Sequence, residues 1–160
     1  MKKATAGVMD ALSKGINAEL ASYIFYKRAA DKLKNKELAD MLLKLAGEEK
    51  DHYRILEGEY DSLVRSEKWV TYNDILRKPG LPEPPEEMAE PHKRRIAALG
   101  LLDDAEKILK MAITLEEEAR DLYRSQVDVV KDPEAVEMYT YLAKFEQGHV
   151  NLITGWLKKL

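Results

Sequence analysis

The sequence predicts an all-α protein, a four-helix bundle with one long crossover and an internal pseudo-two-fold repeat. Three observations lead there. Apolar residues return at helical spacing over four long segments, five of the six prolines crowd between Pro79 and Pro91, and chemistry-bearing residues of the first half recur 97 positions later. Glu19 recurs as Glu116, Tyr26 as Tyr123, Glu49 as Glu146 and His52 as His149.

The first helix runs over about 5–33, where Val8, Leu12, Ile16, Leu20, Tyr23, Ile24 and Ala30 keep one face apolar without a proline. Lys34-Asn35-Lys36 makes a short polar turn, and Leu38, Met41, Leu42, Leu45, His52, Ile55 and Leu56 carry the second helix over about 37–66. A turn this short makes the two helices antiparallel neighbours. The crossover, about 67–102, holds the prolines and is no long helix, although MAEPHKRRIAALG suits one short one. Asp103 with Glu106 forms a capping-box-like start to the third helix, about 103–130, which Ile108, Ala112, Leu115, Ala119, Leu122 and Val127 continue. Asp132-Pro133 supplies a cap and a first-turn proline for the fourth, about 133–159, with Val136, Leu142, Phe145, Val150, Ile153 and Trp156 on its apolar face. The crossover is long enough to return along a whole helix, so the second and third helices can run parallel.

Composition restricts the functions open to such a bundle. With 160 residues, 45% of them hydrophobic, the chain can bury one sizeable core, and 1–160 is expected to be a single domain. A net charge of −3 with interspersed signs supplies neither a basic stripe for nucleic acid nor a polybasic membrane anchor. Asp10 interrupts any signal-peptide core and no segment approaches a membrane span, so a cytoplasmic location is expected. The absence of cysteine excludes disulfides, zinc–thiolate sites, iron–sulfur clusters and a thiolate-bound electron-transfer iron within this sequence.

Glu49-Lys50-Asp51-His52 and Glu146-Gln147-Gly148-His149 are two copies of Glu-x-x-His. On a helix the two residues share a face, so each copy aims a carboxylate and an imidazole at one point. Leu42, Leu45, Ala46, Tyr53 and Leu56 flank Glu49 at helical spacing, and Tyr139, Leu142, Ala143, Val150 and Ile153 flank Glu146, placing both carboxylates in the core. A buried carboxylate requires a nearby cation or a proton. Glu19 lies with Ile16, Tyr23 and Tyr26 on the inner face of the first helix. In the Glu116-Glu117-Glu118 run, Glu116 shares its stripe with Leu109, Ala112, Ile113, Ala119 and Tyr123 and alone obeys the repeat, so it is preferred to Glu118. Glu19, Glu49, His52, Glu116, Glu146 and His149 are thus the candidate metal ligands. Four carboxylates balance two divalent cations, and N/O donors without thiolate suit iron or manganese, with zinc compatible by ligand type.

Tyr26 and Tyr123 lie seven residues beyond Glu19 and Glu116 and are read as hydroxyl donors reaching back to those carboxylates. Tyr23 and Arg120 occupy equivalent positions without matching, which is expected to make the two ends of the site unequal. Asp51 faces Gly148 in the repeat and so has no shared orienting role. His92 is read as an exposed loop residue, and Trp69 and Trp156, unrelated by the repeat, as packing residues. Crowding of four carboxylates is expected to raise the pKa of all four in the absence of metal.

This set resembles the ferritin-like superfamily and, within it, the rubrerythrin-like branch. The resemblance implies that Glu49 and Glu146 bridge two irons, that Glu19 and Glu116 are terminal, and that each histidine completes one metal. It also implies a di-iron oxidoreductase, a peroxidase or ferroxidase, that reacts the reduced pair with hydrogen peroxide or dioxygen. Typical rubrerythrins carry a cysteine-bound iron as electron donor; with no cysteine here, a separate donor protein is implied. They also carry a further glutamate where this chain has Ala119. The alternatives are iron storage, a di-metal oxygenase or manganese catalase, and a metal-free structural bundle. Only eleven residues follow His149, too few for the extra helix of ferritin-type shells, which disfavours a cage. A homodimer is the default oligomer.

Overall fold

The computed structural model describes residues 6–78, 84, 90–100, 102 and 104–160, with the side chains of 90–92 and 95 outside that description. Its helices are α1 (Ala6–Lys32), α2 (Lys36–Ser66), α3 (Tyr72–Arg77), α4 (Glu90–Leu99), α5 (Ala105–Val127) and α6 (Pro133–Lys158). Local chemistry sets their starts. Asn35 Oδ1 accepts the Leu38 N–H at 3.1 Å before α2, and Asp132 Oδ1 accepts the Glu134 N–H at 3.0 Å ahead of α6, where Pro133 takes the first turn. The cap of α5 is Asp104, whose Oδ1 accepts the Lys107 N–H at 2.8 Å. That is one residue later than the expected Asp103, which lies outside the described residues.

The helices pair as α1 with α2 and α5 with α6, and α1 also packs on α5. Cross-bundle contacts fix the directions. Tyr26 meets Glu116 while Tyr123 meets Glu19, so α1 and α5 are antiparallel; His52 meets Glu146 while His149 meets Glu49, so α2 and α6 are antiparallel too. Since the short turn makes α1 and α2 antiparallel, α2 and α5 run the same way, as the crossover length allows.

The crossover contains two short helices where one was expected. The first, α3, seats Ile75 against α2 at Gly58, where an added Cβ would stand 2.8 Å from Ile75 Cγ2. Glycine is what lets α3 lie this close. The second, α4, buries Ile96 and Leu99 in the core cluster shared with α1, α2 and α5. Lys32 Nζ ties it down by donating to the carbonyls of Leu99 at 2.6 Å and Leu102 at 2.7 Å, satisfying groups a helix end leaves free. His92 therefore belongs to a helix, and its side chain lies outside the described residues.

Two apolar clusters fill the bundle. One gathers Leu20 to Ala30, Leu38 to Ala46 and Ile108 to Leu115; the other gathers Leu12, Ile55, Leu56, Leu63, Tyr123 and Met138 to Ala143. By position along every long helix, the paired Glu and His residues form a layer between them.

Candidate metal centre

In that layer Glu49, Glu116 and Glu146 are 0% exposed, Glu19 and His52 1% and His149 4%. Six ionisable groups so deep cost far more than apolar residues of the same size unless they neutralise one another or hold cations. Glu117 is half-buried and Glu118 exposed, so Glu116 is the member of its run that enters the core.

The six side chains form two overlapping groups. Glu19, Glu49, His52 and Glu146 present ligand atoms within 4.8 Å of one another, and so do Glu49, Glu116, Glu146 and His149. Glu49 and Glu146 belong to both. Each imidazole turns Nδ1 inward: His52 Nδ1 lies 2.7 Å from Glu146 Oε1, 3.5 Å from Glu49 Oε2 and 3.6 Å from Glu19 Oε1. His149 Nδ1 lies 2.8 Å from Glu49 Oε1, 3.2 Å from Glu116 Oε2 and 3.7 Å from Glu146 Oε2. Oε2 of Glu19, Glu49 and Glu146 is buried without a hydrogen-bond partner. Carboxylate oxygens left unpaired beside inward-facing nitrogens fit divalent cations held by nitrogen and oxygen.

Tyrosine hydroxyls fix the outer carboxylates, crosswise rather than along their own helices. Tyr26 on α1 donates to Glu116 Oε1 on α5 at 2.5 Å, and Tyr123 on α5 donates to Glu19 Oε1 on α1 at 2.6 Å. The expected reach back along one helix fails because seven residues rise about 10 Å, more than a tyrosine side chain covers. Antiparallel α1 and α5 bring each tyrosine level with the opposite glutamate instead.

A family model described as Rubrerythrin matches residues 10–93. The chain belongs to the rubrerythrin family. A solved structure described as a hypothetical protein from Pyrococcus furiosus is 26% identical, with a TM-score of 0.67 over 94% of this chain and 88% of that one. No curated protein matches. Among the described residues no helix is long and apolar enough to cross a membrane.

The two ends of this rubrerythrin-family centre differ, though not through Tyr23 and Arg120. Arg120 turns to Asp121 and Gln147, and Tyr23 receives Lys27, so neither reaches the ligands. The difference comes from Glu48, whose repeat position is Phe145. His149 donates Nε2–H to Glu48 Oε2 at 2.7 Å, the arrangement that fixes a metal-binding imidazole's tautomer and tilt. His52 has Phe145 edge-on at 4.7 Å between ring centroids and a buried Nε2 without a partner. Asp51 is exposed and pairs with Arg54 at 3.9 Å. A cleft of about 490 Å³ lined by Glu48, Tyr141, Lys144, Phe145, Gly148 and His149 reaches the His149 end from outside.

Electrostatics divide the carboxylates into two kinds. Burial and then the charges of neighbouring glutamates push Glu49 and Glu146 well above the ordinary range. Burial acts on Glu19 and Glu116 as well, but hydrogen bonds and the imidazole charges outweigh it, holding Glu19 low and Glu116 at about 2. The expectation that all four rise is thus corrected for these two. Burial would lower both imidazoles, yet the surrounding carboxylates raise His52 and His149 well above the usual histidine value. Burial and the same carboxylates raise Tyr26 and Tyr123, which keep their protons and remain donors. Without metal, burial and mutual repulsion thus favour the protonated form of Glu49 and Glu146, and the surrounding carboxylates favour the charged form of both imidazoles.

Glu59, passed over in the sequence, is also buried. Its Oε1 accepts the Val70 N–H at 2.8 Å, anchoring the start of the crossover, and burial pushes its pKa up to about 7. The signal was available, since Glu59 follows His52 by two helical turns on the stripe of Leu56 and Leu63.

Proposed function

We propose that the protein is a di-iron oxidoreductase that reduces hydrogen peroxide, or dioxygen, with electrons from a separate donor protein. The observation that carries this reading is the sharing of Glu49 and Glu146 between two buried ligand groups, each completed by one imidazole and one tyrosine-held glutamate. On this reading Glu49 and Glu146 would be shared by the two irons, with Glu19 and His52 completing one site and Glu116 and His149 the other. A bound pair of irons would supply two electrons to an oxygen–oxygen bond.

The chain's own residues do the rest. Tyr26 and Tyr123 hold the terminal carboxylates against rotation through their short hydrogen bonds. Glu48 orients His149 and leaves Nδ1 free to bind. The two apolar clusters exclude bulk water from the layer, while the cleft beside Gly148 is wide enough for a small oxidant to approach. The Ala119 side chain, 3% exposed, offers no carboxylate at the position where typical family members have one, so no ligand exchange through that residue occurs here.

Anaerobic ferrous titration followed by separate additions of peroxide and of air tests the reading. Two irons per chain that oxidise faster with peroxide than with air are expected. Faster oxidation by air would turn the assignment to ferroxidase chemistry, and absence of iron binding would remove it.

A further inference from the structure

Six side chains buried this deeply must be reached by ions from solvent, and a four-helix bundle offers four faces for the approach. Three are shut. Helix α1 packs closely on α2 and α5 on α6, while between α1 and α5 the bonds of Tyr26 to Glu116 and of Tyr123 to Glu19 close the ligand layer. Along the bundle axis the two apolar clusters seal it. The face between α2 and α6 is the most loosely packed of the four, and both imidazoles stand on it.

Side chains that break the repeat divide this face into a closed half and an open half. Phe145 stands edge-on to His52 at 4.7 Å and to His149 at 5.2 Å between ring centroids, so one ring borders both imidazoles. On the His52 half Tyr141 adds a second ring at 6.1 Å, and Tyr72 of α3 clamps it by stacking at 4.3 Å. On the His149 half the corresponding cover is missing. Gly148 stands where the repeat has Asp51, and a Cβ placed on it would meet nothing within 4 Å. The space left is the cleft of about 490 Å³, and His149 on its wall is the most exposed of the six candidate ligands. Half-buried Glu48 also lines it and holds His149 Nε2 at 2.7 Å, so a carboxylate oxygen meets an arriving cation before the buried ones do. The opposite charge in the lining, Lys144, is exposed and can extend its ammonium into solvent.

We propose that divalent cations enter and leave the centre through this cleft, between Phe145 and Gly148, so that an ion bound for the His52 end passes the His149 end first. This rests on the reading that the six residues hold metal, and it is independent of what the metal then does. An entrance lies on the path in both directions. Narrowing it must therefore slow loading and release together.

Cobalt(II) is the probe. Its visible absorption after rapid mixing with metal-free protein reports loading, and excess chelator added to loaded protein reports release. Gly148→Leu puts a branched side chain into the cleft at an exposed helical position where leucine is favoured over glycine, so the variant should fold. It should slow loading and release alike, by about 10-fold. Gly148→Ala should slow both by less, since one methyl group leaves most of the cleft open, and Phe145→Ala should speed both. Asp51→Leu makes the same change at the equivalent place on the His52 half; at high salt, where loss of one exposed charge is screened, it should load and release at the parent's rates. Slowing by Asp51→Leu as large as that by Gly148→Leu would overturn the entrance. So would slowing by Gly148→Ala as large as that by Gly148→Leu, because alanine is the better helix former and that order would mean that ions enter by local opening of the helix. Protein that binds no cobalt at all would instead refute the metal centre, and the entrance with it.

Discussion

The His149 end and the His52 end of the centre have the same candidate ligand types in different surroundings. His149 is tethered by a carboxylate, Glu48, and opens to a cleft; His52 is enclosed by Phe145 and Tyr141, with Nε2 unpaired. The repeat preserves what a bridged pair needs, two imidazoles and four glutamates in two-fold array. It leaves the groups that tune and feed each end free to diverge. A metal at the His149 end would meet an imidazole oriented by Glu48, whereas one at the His52 end would meet an imidazole whose outer nitrogen has no partner.

The largest expected effect breaks the symmetry at its centre. Glu49→Ala or Glu146→Ala should lose both metals, while His52→Ala or His149→Ala should lose one each, as metal analysis after anaerobic loading will show. Equal losses in the two classes would disprove bridging. Next in size, Glu48→Gln should weaken only the His149 end, by about 10–100-fold. Stepwise titration should then resolve two affinities drawn apart, and parallel weakening of both ends would remove the contrast.

Protonation sharpens the comparison between inner and outer carboxylates. Glu49, Glu146, His52 and His149 have raised pKa values, so the stability they contribute without metal is complete below their unfolded values and is lost as pH rises through the folded ones. Glu116, at about 2, works in the opposite sense: its contribution is present above the unfolded value and lost as pH falls toward 2. Metal-free melting temperature should therefore fall on the acid side through Glu116 and again on the alkaline side, where the gap to the metal-loaded protein widens. Loading divalent cations near neutrality should release protons, because the raised groups must give them up to bind metal. Glu116→Gln should lower the metal-free melting temperature, since it removes a carboxylate that the folded state stabilises. A rise would mean that like-charge crowding governs Glu116 after all.

The smallest effect concerns one atom. Gly15 corresponds in the repeat to Ala112, and a Cβ at Gly15 would stand 3.0 Å from Leu56 Cδ1 and 3.2 Å from Tyr123 Cε1. Gly15→Ala should cost about 1–3 kcal/mol by overpacking and, by displacing Tyr123, loosen Glu19 at the His52 end only. Denaturant melts and the two metal affinities would register both effects.

The same comparison explains what was legible in the sequence. The six candidate ligands were readable because helical spacing and the repeat filter the same residues independently, and the long helices because their apolar stripes exceed any local ambiguity. Glu48 and Glu59 were missed because their repeat positions hold Phe145 and Trp156, so a filter built on symmetry discards them. The crosswise tyrosines depend on helix direction and side-chain reach, which spacing along one helix does not encode. The helix α3 is six residues long and has no side-chain cap bond, and its place is set by Ile75 meeting Gly58 rather than by local signals.

Magnetic coupling tests the central claim, that Glu49 and Glu146 hold two metals in one bridged centre. Mössbauer spectra of the protein loaded with enriched iron and oxidised should show two ferric ions per chain whose spins cancel through the bridges, leaving a diamagnetic ground state in an applied field. One iron per chain, or two that respond to the field as independent high-spin ions, would contradict it.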